Sequence, residues 1–113
     1  MLLTADDLET IARVARYYAR RYRVLGLERE DVQQEVVVRM MEQERPAWAS
    51  LYTYVDVTAY RIILNLMRKK IRDAEKLSRA AELLKADWMR RHEADADSRE
   101  AAVEWRTLFE VRQ

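Results

Sequence analysis

The sequence predicts an all-α protein, a small bundle of three core helices followed by a charged helical extension at the C-terminal end. The chain of 113 residues contains a single glycine and a single proline, so turns are scarce and connections are short. Apolar residues recur at spacings of three and four, the period of a helix with one buried stripe. We therefore expect a helical domain over residues 1–72 and a charged extension or tail over residues 73–113.

The sequence gives no support for disulfides, metal sites or the common catalytic motifs. Without cysteine, neither disulfides nor thiolate metal sites can form, and His92, the only histidine, has no second His to share a metal with. The sequence has no glycine-rich phosphate loop and no serine in a nucleophile-elbow context. We expect no catalytic residue, metal or cofactor.

No apolar run approaches the roughly twenty residues of a membrane span. Residues 1–3 lack the pattern of a secretory signal, so we expect a cytoplasmic protein without a membrane partner.

The net charge of +1 hides a segregation of basic and acidic residues along the chain. Acidic residues collect over residues 28–44 and again over residues 82–104. Two basic blocks contain no acid: Arg13, Arg16, Arg20, Arg21 and Arg23 in the first, and Arg68, Lys69, Lys70 and Arg72 in the second. The net charge says nothing about partners, whereas this distribution predicts separate surfaces for different partners.

The first helix is expected to begin near Thr4, whose hydroxyl can cap the backbone while Asp7 completes a capping-box-like pair. Its apolar stripe consists of Leu8, Ile11, Ala15, Tyr18, Tyr22 and Leu25. Gly26 ends the helix as the left-handed residue past its C-terminus. Four arginines share the opposite face and repel one another: Arg13, Arg16, Arg20 and Arg23. Acids from another element or a phosphate backbone would compensate, and both interpretations stay open.

The second helix is expected over residues 28–43. Its opening carboxylates lie where the helix dipole favours them, and Val32, Val36 and Met40 form its buried stripe. The other side carries Asp31, Gln34, Glu35, Val38 and Glu42. The β-branched run over residues 36–38 is a poor helix former, which raises the alternative of a strand. Because the polar flanks do not alternate with apolar residues, the pattern favours a helix.

The central helix is expected over residues 46–72, with Pro46 in its first turn. Its apolar stripe consists of Trp48, Leu51, Val55, Ala59, Ile62 and Leu66. Its other face is a polar ladder of Tyr54, Thr58, Arg61, Asn65, Arg68 and Arg72. Such a face suits a nucleic-acid strand, because cations meet phosphates and a tyrosine ring can stack on an unpaired base. The alternative is a solvated basic face. Residues 52–58 are rich in β-branched and aromatic side chains, so a bend is expected there.

Residues 73–91 show a charged helical pattern with a narrow apolar stripe of Leu77, Ala81, Leu84 and Trp88. Ser50 and Ser78 are interpreted as ordinary helix-surface residues. The acidic residues 93–98 form either a linker or a fraying helix end. A last short helix would carry Trp105 and Phe109, which either pack on the core or form a partner surface. The acids over residues 93–97 also suggest an autoinhibitory tail that covers the basic face.

Five segments together resemble conserved region two of bacterial sigma factors, and the extracytoplasmic-function branch is the most similar. These segments are RYYARRYRVLG, EDVQQEVVVRMME, PAW, LYTYV and LMRKK. The resemblance covers residues 8–72. In that family a D-x-x-Q-E-V run grips the clamp helices of the largest subunit of RNA polymerase. The resemblance thus implies that polymerase is bound by Asp31, Gln34, Glu35 and Arg39.

In the same family a W-L-Y-T-like start leads into a helix that ends in an Arg/Lys cluster and reads and melts the promoter. Here Trp48, Leu51, Tyr52, Thr53 and residues 68–70 are similar to that pattern. The expected contacts to promoter DNA, mainly its single-stranded non-template strand, are Tyr52, Tyr54, Thr58, Arg61, Asn65, Arg68, Lys69, Lys70 and Arg72. Residues 73–113 are too short and acidic for the family's helix-turn-helix domain, so either a second protein would supply upstream promoter recognition or the protein would act on promoters that depend little on the upstream element.

Three functions stay open. The first is a sigma-like transcription factor reduced to region two. The second is a regulator that occupies the sigma site on polymerase without reading DNA. It is favoured by Tyr60, Arg61 and Asn65, which stand where the family carries an Arg-Asn pair and then an Asp. The third is a helical scaffold that binds a partner through Trp88, Trp105 and Phe109.

Overall fold

The computed structural model describes residues 3–45 and 49–92, and this part of the chain is helical without any strand. Its elements are α1 (Ala5–Arg21), a short 3₁₀ turn (Arg23–Leu25), α2 (Arg29–Glu42), α3 (Leu51–Lys70) and α4 (Ala74–Arg91). The all-α prediction is confirmed. None of these helices is long and apolar enough to cross a membrane.

Helix α1 begins as predicted. The hydroxyl of Thr4 accepts a hydrogen bond from the backbone N–H of Asp7 at 3.1 Å, and the Asp7 carboxylate accepts one from the Thr4 N–H at 2.8 Å. The α-helix ends at Arg21, earlier than the apolar stripe indicated, and the chain tightens into the 3₁₀ turn. Gly26 follows with a φ of +72°, which confirms it as the left-handed residue.

Helix α2 confirms the predicted stripe, because Val32, Val36 and Met40 are all buried. The β-branched run therefore forms a helix and not the alternative strand. Packing against α1 and α3 supplies the stability that the intrinsic propensity of these residues lacks.

Helix α3 begins at Leu51 and is capped by Ser50, whose hydroxyl accepts a hydrogen bond from the Thr53 N–H at 3.2 Å. Ser50 is exposed as predicted, but it caps α3 and is not an ordinary residue of the helix surface. The predicted bend over residues 52–58 was wrong, because the helix runs without interruption to Lys70. Residues 53–60 are all buried, and tertiary packing overrides their β-propensity. Pro46 and Trp48 lie outside the described residues.

Helix α4 confirms the helical pattern predicted after residue 72. The carboxylate of Asp73 caps it by accepting a hydrogen bond from the Lys76 N–H at 3.0 Å. Leu84 and Trp88 are fully buried in the same hydrophobic core as α1, α2 and α3. The described part of the extension is thus packed into the bundle. Trp105, Phe109 and the acidic residues after His92 lie outside the described residues.

The bundle is arranged around α3, which packs against the other three helices. More than half of its residues are buried, as expected of a helix that is enclosed on nearly every side. Only the end of α3 that leads to Lys70 carries consecutive exposed residues. This enclosure decides which predicted site residues are available to a partner.

Candidate nucleic-acid and protein interfaces

The first half of the predicted polar ladder on α3 is not a surface. Tyr54 is 6% exposed and Thr58 is 7% exposed. The Thr58 hydroxyl donates a hydrogen bond to the Tyr54 carbonyl oxygen at 2.8 Å, so it is satisfied within the helix. Burial also raises the pKa of the Tyr54 hydroxyl. The prediction that Tyr54 and Thr58 contact DNA was wrong, because the packed helices cover both side chains, whereas Tyr52 in the same half of α3 is 40% exposed.

The second half of the ladder opens gradually towards solvent. Arg61 and Asn65 are half-buried, and the Asn65 side-chain oxygen accepts a hydrogen bond from Arg68 at 3.4 Å. Burial lowers the pKa of the Arg61 guanidinium, and the nearby charge of Arg39 on α2 lowers it further. Arg61 therefore belongs to the contact between α2 and α3 more than to the surface.

The basic end of α3 holds the exposed cations Arg68 and Lys69, and the exposed Arg72 follows just after the helix ends at Lys70. Lys70 differs from them because its ammonium group donates a short hydrogen bond to the Leu25 carbonyl oxygen, which lies just before Gly26. This contact ties the end of α3 to the turn between α1 and α2. Lys70 thus has a structural role, and the other three predicted cations form the exposed basic surface.

The residues expected to bind polymerase lie on the outer side of α2. Asp31, Gln34 and Glu35 are exposed, and Arg39 is half-buried. Two apolar neighbours on this helix, Val38 and Met41, are each about half exposed. The outer side of α2 therefore combines charged and apolar groups, the composition expected of a protein-binding face.

A groove of about 460 Å³ brings the two predicted sites together. Helix α2 lines it with Asp31, Glu35 and Arg39, and α3 lines it with Asn65, Arg68, Lys69 and Lys70. One wall is therefore mainly acidic and the other basic. The charge distribution along the sequence predicted separate surfaces for these residues. They lie in one groove because α2 packs beside the end of α3.

A buried charged cluster joins α3 to α4, and the sequence patterns did not predict it. Asp56 is 0% exposed, and its carboxylate accepts a hydrogen bond from Arg91 at 2.7 Å and is in short contact with the His92 ring. Arg91 also donates to the Tyr18 hydroxyl at 2.9 Å. His92 stacks on Trp88, with ring centroids 3.9 Å apart. The charge of Asp56 is thus matched inside the core.

Asp87 forms the second half of this cluster. Its carboxylate accepts hydrogen bonds from the Tyr17 hydroxyl at 2.8 Å, from Arg90 at 2.7 Å and from Arg91 at 3.3 Å. Arg21 of α1 lies 3.7 Å away. Burial raises the pKa of Asp87, but the Tyr17 hydrogen bond and the charges of Arg91 and Arg21 outweigh it, so the net pKa is lowered.

One sequence signal would have indicated this cluster. Asp56 stands alone in the apolar run YTYVDVTAY, and an acid at a position expected to be buried requires a partner. The partner itself was not predictable, because Arg91 lies 35 positions away. The cluster is not a metal site, since the described residues contain no group of three or more His, Cys, Asp or Glu that could hold an ion.

The arginine face of α1, formed by Arg13, Arg16 and Arg20, differs from that cluster. All three side chains are exposed, and within residues 3–45 and 49–92 none of them forms an ion pair. Arg23 is likewise exposed and unpaired there. Of the two interpretations left open, pairing with an acid is therefore excluded within the described residues, and the acids after His92 lie outside them.

No protein-family model, no curated protein and no solved structure matches this chain. The resemblance to sigma factors accordingly rests on the five sequence segments that carry it.

Proposed function

We propose that the protein is a sigma-like transcription factor that binds core RNA polymerase through α2 and promoter DNA through the basic end of α3. The observation that supports this most is the shared groove, which sets Asp31 and Glu35 opposite Arg68 and Lys69. A polymerase clamp helix on the outer side of α2 and a DNA strand on α3 would then lie next to each other. In this proposal the protein acts in the cytoplasm, where polymerase and promoter are found.

The proposed work is binding, without a chemical step. Arg68, Lys69 and Arg72 would neutralise phosphates of the unpaired non-template strand, which fixes its position on α3. Asp31 and Glu35 would repel the same phosphates from α2, which leaves that helix for a protein partner. Melting would be driven by capture of the strand once it is unpaired.

A second candidate is a regulator that occupies the sigma site on polymerase without reading DNA. It is favoured by the burial of Tyr54 and Thr58, which removes a stacking ring and a hydroxyl from the predicted DNA face. The bond between Lys70 and Leu25 removes one cation as well. The side chains that remain exposed on this face are mainly cations, which are suited to binding phosphates more than bases.

The first experiment is capture of the protein on immobilised core RNA polymerase. We expect the double variant Gln34→Ala, Glu35→Ala to lose capture at least tenfold, as for charged contacts at an interface. The matched control is Ser78→Ala, Glu82→Ala, which removes one neutral polar and one acidic group from exposed positions of α4. Equal capture of both variants, or no capture of the wild type, would refute docking through α2 and favour the helical scaffold.

The second experiment separates the two candidates. The triple variant Arg68→Gln, Lys69→Gln, Arg72→Gln is expected to keep polymerase capture and to lose binding of the polymerase complex to a promoter with a melted segment. Under the sigma-like proposal this variant no longer supports initiation. A variant that still alters transcription to the wild-type extent would instead identify the regulator, whose action does not need α3 to touch DNA.

A further inference from the structure

We infer that the arginine face of α1 binds the phosphate backbone of a single nucleic-acid strand, at a site distinct from the basic end of α3. Arg13, Arg16 and Arg20 recur at spacings of three and four and therefore lie along one side of the helix. Together with Tyr17 and Arg21, they line an open cavity of about 460 Å³. None of the described residues that line this cavity is acidic.

The energetics of the arginine face point to an external anion. Like charges three and four residues apart repel each other and destabilise a helix. Arg21 and Arg91, in contrast, are matched with the buried acid Asp87. Arg13, Arg16 and Arg20 have no such acid among the described residues, and a row of phosphates is the complement that fits their charge and spacing.

An adjoining cavity of about 190 Å³ indicates a strand with unpaired bases. Arg13 and Tyr17 line both cavities, and the smaller one is also lined by Tyr52 and by the ion pair of Asp56 and Arg91. Tyr52 is 40% exposed. Its ring stacks on the His92 ring, with centroids 5.2 Å apart. An unstacked base can pack on the open part of this ring while its phosphates lie on the arginines, an arrangement typical of single-strand binding. A duplex cannot present a base in this way.

The two cavities at this site share no lining residue with the groove at the basic end of α3. Tyr52 and Arg68 are 16 residues apart on the same helix, which corresponds to about 24 Å along the axis at 1.5 Å per residue. The inference goes beyond the proposed function, because it requires neither polymerase nor the basic end of α3. The inference is tested by measuring strand binding with the protein alone.

The experiment is a fluorescence-anisotropy titration of a labelled oligothymidine strand with the full-length protein, repeated over a range of salt concentrations. The variant Arg13→Gln, Arg16→Gln, Arg20→Gln is expected to bind at least about tenfold more weakly at low salt. Its plot of log affinity against log salt should become shallower by about 2, since each lost phosphate contact in a single strand contributes about 0.7.

The control is Arg45→Gln, Lys76→Gln, Arg79→Gln, which lowers the net charge equally at exposed positions outside both cavities. Its affinity should fall by less than about threefold, because screened charges at a distance contribute little. Equal losses in the two triple variants would overturn the inference by showing that only overall charge matters. Loss only in the variant of Arg68, Lys69 and Arg72 would also overturn it.

Two further measurements test whether binding requires the Tyr52 ring and whether it requires a single strand. Tyr52→Phe removes the hydroxyl that accepts a bond from Arg91 at 3.3 Å but keeps the ring, so its affinity should match the wild type. Tyr52→Leu should weaken binding about fivefold or more, as for the loss of one stacked base. A duplex of the same length should bind more weakly than the strand. Duplex binding that equals strand binding would refute the assignment to a single strand.

Discussion

The arginines of this bundle fall into two environments that their sequence contexts do not distinguish. Arg91 is largely buried, with Asp56 at 2.7 Å, Asp87 at 3.3 Å and its guanidinium 4.3 Å from the centre of the Tyr17 ring. Arg13 lines the same small cavity and yet has no acid partner among the described residues. The difference shows that a buried acid, and not the arginine itself, decides whether a basic side chain is structural or available to a partner.

The two environments also differ in energy. A buried carboxylate such as Asp56 is stable only when its charge is matched, because removal from water costs several kcal/mol per ion. An exposed arginine has little to lose, since water and salt already screen its charge. Substitutions in the buried cluster should therefore unfold the protein, whereas those on the arginine face should change only binding.

The largest expected effect is that of Arg91→Ala. It leaves Asp56 and Asp87 without their shared cation, so the free energy of unfolding should fall by about 3–5 kcal/mol, as for a broken buried ion pair. Urea denaturation followed by circular dichroism measures this. The control is Arg79→Ala, which breaks only the exposed pair with Glu75 and should cost less than about 1 kcal/mol. Similar losses for both variants would contradict the distinction between the two environments.

The next effect is the acid sensitivity of the cluster. The folded-state pKa of Asp87 is lowered, so its contribution to stability is complete above the unfolded pKa and is lost as the pH falls through the folded pKa. Stability should therefore decline below about pH 4, the usual range of an unfolded aspartate.

The matching variant for this pH dependence is Asp87→Asn. It should be less stable than the wild type by about 1.5–3 kcal/mol at neutral pH, through weaker hydrogen bonds from Tyr17 and Arg90. It should also show a shallower loss of stability on acidification, measured as the urea midpoint at each pH. If its profile parallels that of the wild type, another carboxylate carries the acid sensitivity.

The smallest effect is that of the arginine face on folding. The variant Arg13→Gln, Arg16→Gln, Arg20→Gln removes like-charge repulsion along α1, so its stability should stay the same or rise by a few tenths of a kcal/mol. Thermal denaturation at low salt measures the change, and high salt should remove it. A marked loss of stability would mean that these arginines have partners within the fold, and would contradict the distinction between the two environments.

Local signals determined much of the fold. The capping box of Thr4 and Asp7, the left-handed Gly26 and the stripe of Val32, Val36 and Met40 were all predictable. Each depends on residues within a turn or two of one another, where chain geometry alone fixes which groups can meet. The same holds for α4, whose narrow stripe was sufficient to predict a helix.

The candidate sites were predictable only in part. Asp31, Gln34 and Glu35 are exposed on α2 as the helical period required, and Arg68 and Lys69 are exposed on α3. The period did not reveal that Tyr54 and Thr58 are covered, because it defines two faces of a helix and says nothing about how many neighbours pack on them. The strand-binding and polymerase-binding roles themselves stay predictions.

The amino-acid order was sufficient to define the helices, both ends of the first one and the separation of acidic from basic segments. The pairing of charges, in contrast, depends on how the helices pack. Packing joins Arg91 to Asp56 across 35 positions and Tyr17 to Asp87 across 70, and it leaves Arg13, Arg16 and Arg20 on the surface. The two differ because helix formation is governed by neighbours along the chain, whereas the stability of a charge depends on burial and on groups that folding brings near it.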